Sequence, residues 1–125
     1  MKYLGVDYGL KRVGLAISEG EIASPYRVIE IKSLRDGFNK IFSIFHNGNF
    51  DKIIVGLPEG AMAKAVTRFV DSLKAKGIDV ETADETLSSK QALRDMIETG
   101  VGEKKRGLRD DRAAAIILQN YLDTL

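Results

Sequence analysis

Residues 3–16, Tyr3-Leu4-Gly5-Val6-Asp7-Tyr8-Gly9-Leu10-Lys11-Arg12-Val13-Gly14-Leu15-Ala16, constrain the fold more than any other stretch. They predict a strand, a tight turn and a second strand, with one carboxylate where the first strand runs out. Leu4 and Val6 suit a buried pleat, and Gly5 leaves room for close backbone approach. Four residues with Gly9 among them join Asp7 to Arg12, an ordinary hairpin connection. After the turn, Val13, Leu15 and Ile17 alternate with Gly14, Ala16 and Ser18, a period of two. Asp7 therefore sits at the end of a rigid strand beside Gly9. Its carboxylate can close the turn, as Asp commonly does, or it can serve a site where a backbone or phosphate comes close.

The rest of the chain alternates between strand and helix patterns. Tyr26–Ile31 reads as a third strand after a turn around Ser24-Pro25. Ser33 then caps a helix whose stripe is Leu34, Phe38, Ile41, Phe42 and Phe45, ended by Asn47-Gly48. The only histidine, His46, falls in that last turn and carries no assigned chemistry. Ile53-Ile54-Val55 is a continuous apolar run, which predicts a strand buried on both faces. Met62, Ala65, Val66, Phe69, Val70 and Leu73 line a second helix that ends at Lys76-Gly77. Ile78, Val80 and Thr82 alternate with Asp79 and Glu81, an edge strand parallel to the one before the helix. Ser88 and Gln91 form a capping box for a third helix with Leu93, Met96 and Ile97. Gly100, Gly102 and Gly107 predict a loop, and a last helix runs from about Asp110-Asp111 to Leu122. The result is a mixed α/β sheet with helices on its faces.

Composition bounds what such a sheet can do. A length of 125 residues gives one domain, 1–125, with a core that needs no cross-links. With no cysteine there is no disulfide framework, thiolate metal site or cysteine nucleophile. No stretch approaches the ~20 apolar residues of a membrane span, and the amino terminus carries no signal peptide pattern, so the expected location is the cytoplasm. The net charge of +1 is low for a nucleic-acid binder, but the charge is segregated. Lys11 and Arg12 flank the hairpin, and Lys104, Lys105, Arg106, Arg109 and Arg112 crowd one segment.

Asp7, Glu85 and Asp110 all fall where an element begins or ends. In mixed sheets the crevice at the carboxyl ends of the parallel strands is the usual site. Three converging carboxylates repel one another unless a divalent cation holds them. Oxygen-only ligation suits Mg²⁺ or Mn²⁺, and such a site supports displacement at phosphorus by activated water. Each residue also has a local reading. Asp84-Glu85 can lead into the cap at Ser88, Asp110 can be an N-cap, and Asp111 a first-turn anion.

Taken together, these segments resemble the YqgF (RuvX) family, described as pre-16S ribosomal RNA nucleases or Holliday-junction resolvase-like proteins. The resemblance rests on Gly5-Val6-Asp7-Tyr8-Gly9 with Lys11-Arg12-Val13-Gly14, on Val55-Gly56-Leu57-Pro58, and on Asp84-Glu85 before Leu87-Ser88. It extends to Asp110 before Ala113-Ala114 and Ile117-Leu118-Gln119-Asn120-Tyr121-Leu122. It implies a ribonuclease-H-like fold with strand order 3-2-1-4-5, and Asp7, Glu85 and Asp110 as catalytic, metal-holding carboxylates. Two places depart from the family pattern: Thr86 stands where arginine is usual, and the segment after Pro58 is short.

Three functions compete at this stage. One is a metal-dependent nuclease acting in pre-16S rRNA processing or on branched DNA. In it, Lys11, Arg12 and the 104–112 cations would hold phosphates, and the protein would be a monomer or weak homodimer. A second is an actin-type ATPase, disfavoured because that fold repeats the unit twice. The third is a non-catalytic nucleic-acid-binding assembly factor.

Overall fold

Strand β1 (Tyr3–Tyr8) lies at the centre of a five-stranded sheet with helices on both faces. The structure, a computed structural model, describes residues 1–58, 60–84 and 106–125, with Asp84 and residues 106–109 described by backbone alone. Around β1 run β2 (Arg12–Ser18), β3 (Ser24–Glu30), β4 (Lys52–Leu57) and β5 (Val80–Asp84), in the order β3-β2-β1-β4-β5. β1–β2 and β2–β3 are antiparallel, and β1–β4 and β4–β5 parallel. The carboxyl ends of β1, β3, β4 and β5 therefore share one edge of the sheet.

Alternation along the strands sorts two cores. Leu4, Val6, Tyr8, Val13, Leu15, Ile53 and Val55 face helices α1 (Leu34–Asn47) and α2 (Met62–Ala75), where Ile41, Phe45, Val66, Phe69 and Leu73 are buried against them. Tyr3, Ala16 and Ile54 face helix α3 (Arg106–Asp123), packed against Ala114, Ala115, Ile117, Leu118 and Leu122. Burying each of the larger aliphatic side chains contributes about 1.5–3 kcal/mol. Ser33 caps α1 as expected, its hydroxyl accepting the amide of Asp36 at 3.1 Å. Ile53, Ile54 and Val55 have no solvent exposure, as the apolar run requires.

Three boundaries differ from the sequence expectation. β1 continues through Tyr8, so Asp7 is its penultimate residue and the turn is Gly9-Leu10-Lys11. β3 begins at Ser24 and takes in Pro25, which pairs with Ala16 beside a register shift at Leu15/Ala16. Proline is tolerated there because β3 is an edge strand. The last helix begins at Arg106, not near Asp110-Asp111. The proposed helix around Leu93, Met96 and Ile97 and the loop up to residue 105 lie outside the described residues.

Candidate active site

Two of the three expected carboxylate residues are linked through the backbone of a glycine. Asp7 alternates with Tyr3 and Gly5, so it stands on the sheet face covered by α3. Its cross-strand partner is Gly14. A Cβ on Gly14 would overlap the carbonyl of Asp110 and lie 2.8 Å from the amide nitrogen of Asp111. The helix backbone at Asp110 thus rests directly on the strand pair that carries Asp7. Gly5 repeats the contact two residues earlier, where a Cβ would lie 2.9 Å from the Cβ of Leu118 and 3.1 Å from the carbonyl of Ala114. Two glycines and the small Ala113-Ala114-Ala115 run let α3 sit close to the sheet and deliver Asp110 to the edge where β1 ends.

Because α3 starts at Arg106, Asp110 is its fifth residue and cannot be its N-cap, which corrects the capping reading. Its carboxylate is 23 % exposed and meets the guanidinium of Arg12, Nε to Oδ2 at 3.5 Å. Arg12 opens β2 immediately after the turn, which the Gly9 amide closes onto the Arg12 carbonyl at 3.0 Å. Asp111 is likewise not a first-turn anion. It is only 6 % exposed, and its Oδ1 has no hydrogen-bond partner among the described residues. Burial pushes its carboxyl above the ordinary range, against backbone amides that favour the charged form, and neighbouring Asp110 adds to the rise.

A cleft of about 990 Å³ opens at this edge, bordered by Asp110 and Glu30 and by four cations: Lys11, Arg12, Lys32 and Lys40. Lys11 and Arg12 were expected there. Lys32 and Lys40 were not, because they reach the turn only through β2–β3 pairing and the packing of α1. Of the other expected cations, Arg112 lies in α3 and is partly buried, and Arg106 and Arg109 fall in the same helix. Lys104 and Lys105 lie outside the described residues.

Glu85 also lies outside the described residues; Asp84, before it, ends β5 opposite Leu57 at the carboxyl edge. Among the described residues no group of three or more metal-ligating side chains is assembled. What is described is a pair of oxygen donors from two elements, Asp7 near the end of β1 and Asp110 on α3, at one edge of the sheet. That chemistry fits a hard divalent cation such as Mg²⁺ or Mn²⁺.

This sheet order, with a carboxylate near the end of the central strand and another on the covering helix, defines a ribonuclease-H-like architecture. The likeness to solved structures agrees. Thermus thermophilus RuvC in complex with Holliday junction substrate matches with a TM-score of 0.62 at 16 % identity, over 99 % of this chain and 94 % of that one. The Fowlpox virus resolvase with substrate Holliday junction DNA matches at 0.66 and 14 % identity, over 99 % and 98 %. At such identities the fold alone is shown. The RuvX family, described as Holliday junction resolvase, matches residues 1–124. A protein of Endomicrobium trichonymphae named "Putative pre-16S rRNA nuclease" is 40 % identical, over 98 % of this chain and 95 % of its own length. One of the same name from Bacillus cytotoxicus is 38 % identical over 99 % of both. The chain belongs to the RuvX family.

Proposed function

We propose that this protein is a metal-dependent nuclease that hydrolyses phosphodiester bonds in pre-16S rRNA during ribosome assembly. We read it as one domain over residues 1–125, working in the cytoplasm as a monomer or weak homodimer. Family membership and the names of its relatives support nuclease activity. The observation that carries the reading is the seating of Asp110 on Gly14, the strand partner of Asp7, at the mouth of a cation-bordered cleft.

Asp7, Glu85 and Asp110 would hold Mg²⁺ or Mn²⁺. Such an ion, when bound, generates a nucleophile from water and offsets charge at the reacting phosphate. The protein's own part is positioning. β1 and β2 fix Asp7 on a hydrogen-bonded ladder, and Gly14 fixes the height of α3 and with it Asp110. Arg12 steadies the Asp110 carboxylate with Nε and keeps its remaining N–H groups for phosphate. Lys11 and the cations Lys104, Lys105, Arg106, Arg109 and Arg112 would add backbone contacts. Thr86, in place of the family's usual arginine, would remove one phosphate contact.

A second reading is favoured by the family's description: resolution of four-way DNA junctions, which needs a dimer to cut two strands. One experiment separates the readings. Precursor 16S rRNA and a four-way DNA junction are incubated side by side with the protein and Mg²⁺ or Mn²⁺. Cleavage of the RNA alone supports the first reading, and paired symmetric cuts in the junction alone support the second. No cleavage of either, with Mn²⁺ leaving the melting temperature of wild type unchanged, would overturn both and leave a non-catalytic assembly factor.

A further inference from the structure

We propose that the sugar–phosphate backbone of the bound nucleic acid crosses the flank formed by β3 and the start of α1, gripped by Lys32 and Lys40 together with Lys11 and Arg12. This rests on the nuclease reading above and extends it to a strand path that the 104–112 segment does not define.

The four cations come from three separate stretches and are fixed together by the fold. Arg12 pairs with Glu30 in the β2–β3 register, and the amide of Ile31 donates to the Lys11 carbonyl at 2.8 Å. Lys32, the next residue, is thereby held beside the turn. Lys40 is anchored from α1, its ammonium donating to the Glu30 carbonyl at 2.7 Å and lying 3.2 Å from Asp36. The Asp36 carboxylate in turn accepts the Lys32 amide at 2.8 Å and one donor of Lys40, so the α1 cap and both lysines form one rigid corner.

Each cation keeps donors for a ligand. Lys11 and Lys32 are exposed. Among the described residues Lys40 uses two of its three N–H groups, and Arg12 commits only Nε among five. Against them stand Glu30 and Asp110 in the cleft and Asp36 behind Lys40, so the lining stays net positive. Leu10, 77 % exposed at the tip of the turn, offers an apolar contact to a sugar or base. Asp110 is part of the same lining, so a strand lying in the cleft brings a phosphate to that carboxylate. Spaced point charges without a base-reading surface predict backbone binding that is indifferent to sequence.

The test measures binding of the full chain, in EDTA, to an RNA duplex and a DNA duplex of one sequence over a range of salt. For wild type, log Kobs should fall linearly with log salt. Lys32→Gln should reduce the magnitude of that slope by about one, and Lys32→Gln/Lys40→Gln by about two, equally on both duplexes. Lys74→Gln/Lys76→Gln removes the same charge at the far end of α2 and should leave the slope unchanged. Melting curves confirm folding, and Lys32→Gln alone disturbs no side-chain bond. If the double variant kept the wild-type slope while wild type bound and cleaved RNA, the path would be wrong and the nuclease reading would stand. If the control pair flattened the slope equally, the effect would be overall charge and the path would again be wrong. If wild type bound neither duplex, both would fall.

Discussion

Gly14→Ala tests the contact on which the whole site depends. The new methyl group would meet backbone on the helix side, the Asp110 carbonyl and the Asp111 amide, so no flexible side chain can swing aside. Ordinary contact begins near 3.4 Å and the amide lies at 2.8 Å, so that atom alone must retreat 0.6 Å. The carbonyl overlap demands more, on the order of 1 Å of lift at this turn of α3. Overpacking typically costs 1–3 kcal/mol, and with rigid partners on both sides we expect about 3 kcal/mol, a large share of the ~5–15 kcal/mol that holds a domain folded. A displacement of this size at a reacting centre costs roughly 10²-fold in rate. Urea unfolding gives the first number. Single-turnover cleavage of the preferred substrate with saturating Mn²⁺, at a temperature where the variant is still folded, gives the second. Gly20→Ala is the matched control, since a Cβ there has nothing within 4 Å, and its stability should change by less than about 0.5 kcal/mol. Were Gly14→Ala as stable and as active as wild type, α3 would not be seated on β2 as described, and the delivery of Asp110 to Asp7 would lose its basis.

Other perturbations address separate parts of the structure. Asp110→Asn should lower cleavage by orders of magnitude while costing no more than about 1 kcal/mol in urea unfolding, because the half-exposed Arg12 pair it weakens is worth little; retained turnover would remove Asp110 from the mechanism. Asp111→Asn should raise stability at neutral pH, by about 1 kcal/mol in the presence of EDTA, since it removes a charge held away from solvent with one oxygen that has no partner among the described residues; a loss of stability would mean that the carboxylate has a partner. Tyr8→Phe should be neutral or stabilising by up to about 1 kcal/mol, because its buried hydroxyl has no hydrogen-bond partner among the described residues, and a loss above that in denaturant melts would show otherwise. The Lys32 amide, followed by Lys40, holds the Asp36 carboxyl below its ordinary range. Its contribution is therefore complete above the unfolded carboxylate pKa and is lost as pH falls through the lower folded value. Wild type should thus melt above Asp36→Asn at pH 7, and the gap should close in acid; a gap independent of pH would refute the assignment.

The sheet was legible in the sequence because its signals are local. Period-two alternation in Val13–Ser18, the apolar run Ile53–Val55 and the stripe from Leu34 to Phe45 each mark an element that forms where expected, although Leu34 at the head of the stripe is exposed. The start of α3 was not legible for a reason that is equally physical. An aspartate pair after several glycines is a good cap signal, and glycine inside a helix costs about 1 kcal/mol. Here the helix nonetheless runs back through Gly107 to Arg106, one turn earlier. Tertiary packing of Asp110 on Gly14 outweighs that local preference. The close approach was still written in the chain, as Gly5 and Gly14 on one face of two neighbouring strands and alanines on one helix. What could not be read was that the two belong together.

The same limit explains the cleft. Lys32 and Lys40 read locally as ordinary polar residues around the cap of α1, and nothing in their spacing ties them to Lys11. Only the β2–β3 register, which sets Arg12 against Glu30, turns three distant stretches into one row of charge. That register also decides how the two neighbouring aspartates of α3 divide their roles. Successive helical residues point about 100° apart, so one of them can turn toward the strand edge while the other turns inward. Arg12, positioned by the register, pairs with Asp110 and leaves it part-exposed at the cleft; Asp111 faces inward, one of its oxygens without a partner among the described residues. A single residue's rotation of α3 would exchange the two carboxylates. The glycine contact at Gly14, by fixing the helix's height against the sheet, and the packing of Ala114, Ile117 and Leu118 on the sheet face, by fixing its rotation, together determine which carboxylate the cleft receives.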